Sequence, residues 1–214
     1  MLPETGLLTR PLGDVLGALA SQHELVGGGG AAAALAAAVA AALTAKVARA
    51  SRTSWIEAGG AIAHAEALRI QTQALIDRDA KAYRAASAVL LDGERSARRG
   101  VVSSAAEEIS PRERERLVDE VLTQAADLAI AIADAANEIV ALAADVARHC
   151  QRTLKPDALM AVALAEAAVN GAARFVDASR VLAAGDQRRE RARELASAAA
   201  AVREAACRPS GRPM

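Results

Sequence analysis

The stretch "LVGGGGAAAALAAAVAAALTAK", residues 25–46, decides the fold class. Alanine is the best helix former, and glycine is about 1 kcal/mol worse. A helix therefore runs through the alanines and begins at the glycines. Its side chains bury little apolar area each, so each contributes less hydrophobic free energy than a leucine would. Small side chains instead let neighbouring helices come close. A helix that is small and apolar on every side must be enclosed by protein. In a chain of 214 residues, a second copy is expected to supply part of that enclosure. The stretch predicts a homodimer with the 31–45 helix near its centre.

Composition points the same way. Trp, Tyr and Phe occur once each, and a sandwich or barrel needs more aromatic and β-branched residues than that. The chain reads as all-α. Lys and Arg number 26 and Asp and Glu number 26. This balance argues against a general binder of nucleic acid or of anionic membrane, which needs a basic surplus. Cys150 and Cys207 match no metal-ligand spacing, and a reduced, cytoplasmic protein is expected. The N-terminal "MLPETGLLTRPLGD" has no basic region followed by an apolar run. Residues 25–45 carry no charge, but beyond the glycines only about 15 residues remain. They span about 22 Å, short of a bilayer core, so a buried helix and no membrane partner are expected.

The remaining segments give long antiparallel helices. Residues 10–22 predict a short helix with Leu12, Val15, Leu16 and Leu19 on one face. A helix is expected over 56–90, then a polar Gly- and Ser-bearing connection over 91–110. Ser110 as N-cap, Pro111 at the first helical position and Glu113 predict a helix start, continuing to about His149. Pro156 opens the next helix, to about Leu182, and a charged helix covers 187–206. Residues 1–206 form one helical domain; 207–214 read as a disordered tail.

Three segments carry possible chemistry. Gly27, Gly28, Gly29 and Gly30 precede a helix end whose first N–H groups lack internal partners and favour an anion. With no side chains in the way, a ligand can reach the backbone; a plain tight turn also accounts for the glycines. In "ALIDRDAKAYRAA" (74–86), Asp79 and Tyr83 are four apart and share a helical face with Leu75 and Ala86. A carboxylate on an apolar stripe takes a partner or changes its pKa, and a salt bridge to an arginine is the structural alternative. Asp77 points elsewhere, towards solvent. In "LKPDALMAVALAEAAVNGAA" (154–173), Asp157 sits in a first helical turn, where it complements the dipole. Glu166 and Asn170 are a solvated pair or a pocket wall. His23, His64 and His149 form no metal pattern, and no metal site is expected.

Taken in order, these segments resemble the cyclodeaminase/cyclohydrolase family of folate enzymes. That family includes the C-terminal domain of formiminotransferase-cyclodeaminase and the methenyltetrahydrofolate cyclohydrolases. Its glycine turn leading into an alanine-rich helix is matched by Val26 and the four glycines. Its Leu-Ile-Asp-x-Asp-Ala-x-Ala-Phe/Tyr stretch is matched throughout 75–83. Its Ser-Asp-Ala-Gly-Val-Ala segment, followed later by Gly-Ala, is represented by "PDALMA" and by Gly171-Ala172. The likeness covers about residues 10–205.

The resemblance implies an all-α homodimer with a folate groove near the glycine turn. It implies one of two reactions on a tetrahydrofolate derivative: hydrolysis of the methenyl bridge, or ring closure of the formimino compound with loss of ammonia. Asp79 and Asp157 would be the catalytic carboxylates. Gly27, Gly28, Gly29, Gly30 and Tyr83 would bind the substrate, the glycine N–H groups holding a polar edge or carboxylate tail. No tightly bound cofactor is implied. Several positions depart from the family pattern. Gly30 and Pro156 stand for serines, Leu159 for a glycine, and Arg49, Phe175 and Ser179 for asparagines. This altered lining leaves two alternatives open: a diverged member acting on a non-folate substrate, or a non-catalytic helical scaffold.

Overall fold

The computed structural model describes residues 6–21, 28–99 and 110–208. Six α-helices follow a 3-10 turn at Leu7–Thr9: α1 (Leu12–Ala20), α2 (Gly29–Ala50), α3 (Ala58–Arg99), α4 (Pro111–His149), α5 (Lys155–Ala178) and α6 (Gln187–Cys207). No strand occurs among the described residues.

The alanine helix lies at the heart of the bundle. Helix α2 packs against α3, α5 and α4, while α6 lies on the outer side of α4 and α5. Ala34, Ala37, Ala40, Ala41, Ala45 and Ala48 of α2 are fully buried, as are Ala133, Ala136 and Ala143 of α4 and Ala161 and Ala165 of α5. Larger fillers such as Ile132, Ile139, Val140 and Val169 complete the core. Thr44 is tolerated there because its hydroxyl donates to the Ala40 carbonyl at 2.8 Å and so is not buried unpaired.

Cross-helix contacts set the directions. Gly29 of α2 lies against Phe175 of α5, Ala33 against Gly171, and Lys46 pairs with Asp157. Residue numbers rise on one helix as they fall on the other, so α2 and α5 are antiparallel. The same holds for α2 and α3, from Gly30 beside Asp79 to the Arg49–Glu66 ion pair.

The expected start of α4 is present: the Ser110 hydroxyl accepts from the Glu113 N–H at 3.2 Å, with Pro111 at the helix start. Three expectations need correction. Helix α3 does not stop near 90 but runs to Arg99. The single Gly93 costs about 1 kcal/mol, less than the helix formers around it recover; residues 100–109 lie outside the described residues. In α1, Val15 and Ala18 are buried, whereas Leu12 and Leu16 are 64% and 54% exposed. Asp77 is not merely solvated: its carboxylate accepts the Leu7 N–H at 2.8 Å, tying the N-terminal turn to α3.

Candidate active site

At the N-terminal end of α2 the small side chains leave a cavity of about 490 Å³. This falls in the usual range for small-molecule sites. Gly28, Gly29 and Gly30 form its floor, Asp79, Tyr83 and Ser87 of α3 one side, and Phe175 with Ser179 and Arg180 another. Ala125, Ala129 and Ile132 of α4 close it with an apolar wall. A second cavity, about 160 Å³, lies beneath α1 among Leu7, Leu12, Leu19 and Leu35 and holds no acidic group.

Each described glycine of the turn seats one cavity side chain. A Cβ on Gly28 would lie 3.7 Å from Tyr83 Cε2, an ordinary contact. One on Gly29 would strike the Phe175 ring, 2.8 Å from Cε2. One on Gly30 would strike the Asp79 carboxyl group, 2.7 Å from Cγ. A side chain at 29 or 30 would therefore have to push the Phe175 ring or the Asp79 carboxyl aside. Gly27 lies outside the described residues, as does His23.

Asp79 is half-buried. Burial pushes its carboxyl above the ordinary aspartate pKa, and a hydrogen bond from the Ala31 N–H offsets part of that rise. Helix α2 has no side-chain cap of its own at Gly28. Asp79, reaching over from α3, supplies one in tertiary structure. The Ala31 amide is thus taken by a carboxylate of the chain itself, which would repel a second anion at this helix end once it is ionised.

Asp157 does not join this site within one chain. It lies in the first turn of α5, 18 residues before Phe175, or about 27 Å along the helix axis, and pairs with Lys46 at 2.9 Å. Glu166 is not a cavity wall either; it pairs with Arg203 at 2.8 Å. His149 stacks on Trp55, with ring centroids 5.0 Å apart and planes 9° apart, at the far end of the bundle.

The sequence offered no direct sign of the loop that completes the cavity. Residues 179–186 follow α5, and Arg189 gathers them in. Its guanidinium donates to the carbonyls of Asp177 (2.5 Å), Ser179 (2.6 Å), Leu182 (3.0 Å) and Ala183 (3.2 Å). This fixes the backbone that carries Ser179 and Arg180. The Ser179 hydroxyl is itself buried without a hydrogen-bond partner.

By length and composition α2 and the segment 152–178 are apolar enough to cross a membrane; in this fold both are packed among other helices, α2 with most of its surface buried.

Residues 11–194 match the formiminotransferase-cyclodeaminase family. The fold resembles the crystal structure of formiminotetrahydrofolate cyclodeaminase from Thermotoga maritima, with a TM-score of 0.70 and 17% identity over 94% of this chain and 93% of that one. No curated protein sequence matches significantly.

Proposed function

Because this chain belongs to the formiminotransferase-cyclodeaminase family, we propose that its cavity works on the one-carbon unit of a reduced folate, with Asp79 as the acid–base group. One observation carries the proposal. A half-buried carboxyl with a raised pKa lines a mostly apolar, ligand-sized cavity. Such a carboxyl holds a proton closer to neutral pH than an exposed one, as an acid catalyst must.

In ring closure, N10 attacks the formimino carbon and its own proton passes to the former imine nitrogen. The Asp79 carboxyl gives that nitrogen a second proton, and it leaves as ammonia. The carboxylate then faces the amidinium cation of the methenyl product and stabilises its charge. The same group in hydrolysis of the methenyl bridge would take a proton from the attacking water. Tyr83, one helical turn further along, and the glycine turn shape the binding surface. Asp157 has no part in the proposal, because it lies outside the cavity.

Methenyl folate absorbs in the near ultraviolet. The proposal expects that absorbance to grow when the protein meets the formimino compound, or to decay faster than background when it meets the methenyl compound. No change above background in either assay would refute the folate assignment.

A second reading has its own observation. Asp79 caps α2 through Ala31, and a capping role alone would leave a helical scaffold without catalysis. Asp79→Asn separates the two, since an amide oxygen still accepts the Ala31 N–H but the side chain no longer exchanges a proton.

We further propose that a second copy covers the outward stripe of α2. There Ala32, Val39 and Ala42 are exposed between α3 and α5, and Val39 is 48% accessible.

A further inference from the structure

Resting on the reading of this cavity as a ligand site, we propose that Phe175 determines its specificity. With Tyr83 it forms an aromatic slot at the glycine turn that takes the flat ring end of the ligand. The chain has one Phe and one Tyr. Both line this cavity, one from α5 and one from α3. Each rests against a glycine of the same turn. Neither is used as core filler: Phe175 is 46% and Tyr83 43% exposed. The α4 wall opposite is mostly alanine, which leaves room for a ring but offers no π surface.

Aromatic rings held in such positions gain from stacking beyond the area they bury. Asp79 lies one helical turn before Tyr83 and accepts hydrogen bonds, so an N–H-bearing edge of the stacked ring is the feature it would read. A phenyl ring at 175 has no hydrogen bond to offer, so what it can contribute to this cavity is a stacking face, which favours a flat heterocycle.

Calorimetric titration of the full chain tests this with two probes. One is 5-formyltetrahydrofolate, a stable reduced folate. The other is 2-aminobenzimidazole, a flat ring with an amidine-like edge and no folate part. Wild type is expected to bind both. Phe175→Ala and Phe175→Leu should each weaken both about tenfold, and Phe175→Tyr should restore them. Gly29→Ala, whose methyl group would displace the ring, should reproduce the loss and add nothing to Phe175→Ala. Thermal melts check that the variants are folded.

Unchanged affinity in Phe175→Leu or in Gly29→Ala would overturn the proposal. Loss of 2-aminobenzimidazole in Phe175→Ala, with no folate bound even by wild type, would uphold the aromatic slot and refute the folate assignment. Binding of neither probe by wild type would overturn both.

Discussion

The Asp79 carboxyl group lies against the backbone of Gly30, where an added Cβ would sit 2.7 Å from its Cγ, and it accepts the next N–H along, that of Ala31. Taken alone, Gly30→Ala should help, since alanine is the better helix former by up to about 1 kcal/mol. With Asp79 in place the added methyl group overpacks the site, and a loss of about 1–3 kcal/mol is expected. In an Asp79→Ala background the same change should be neutral or stabilising. Urea denaturation of the four proteins in the cycle measures the coupling. Additive effects would mean that the two residues do not meet.

The raised pKa of Asp79 has a consequence for stability. The folded protein binds this proton more tightly than the unfolded chain does. The stabilising contribution is therefore complete below the ordinary aspartate range and is lost as pH rises through the elevated pKa. Asp79→Asn keeps an acceptor for Ala31 and never ionises. Melting temperatures from pH 3 to 8 should show the variant gaining on wild type as pH rises, with the gap constant above the elevated pKa. A variant less stable than wild type at neutral pH would show that the carboxylate is a net stabiliser.

Arg189 gives a prediction for the loop. It is well buried, with 16% of its side chain exposed, and holds four carbonyls. Hydrogen bonds to a charged group contribute about 1.5–3 kcal/mol each at most, and the carbonyls regain water when the arginine goes. Arg189→Ala should cost about 2–4 kcal/mol. Arg189→Lys should recover little of this, because an ammonium cannot span the set. Hydrogen exchange should speed up over residues 179–186 in both variants.

The helical architecture was readable because its signals are local. Alanine propensity, the Ser110 cap and Pro111 act within a turn of their own position. The end of α3 was misplaced because Gly93 and its polar neighbours look like a connection, although one glycine does not outweigh a run of helix formers. Which face of α1 is buried depends on what packs beside it, and the Asp77 tie to Leu7 joins residues 70 apart; periodicity reports neither. The same distinction governs the site. Asp79 and Tyr83 share a face by spacing alone, so their neighbourhood could be anticipated. The seating of Phe175 on Gly29, and the four carbonyls under Arg189, arise only when helices pack. Asp157 was joined to Asp79 only by the family resemblance, its own position reading as a helix-dipole partner, and within one chain helix length puts the two at opposite ends of the bundle.

The outward stripe of α2 predicts an association. Val39→Asp would place a charge in the middle of it, and burying an unpaired carboxylate is costly. Light scattering after size exclusion should give a dimer for wild type and a monomer for the variant. A wild-type monomer across the micromolar range would refute the second copy.

Ammonia release from 5-formiminotetrahydrofolate, compared between wild type and Asp79→Asn, tests the catalytic account most directly. The account predicts release by wild type and a loss of at least about a hundredfold in the variant, with the variant still folded. Equal rates in the two proteins would contradict it.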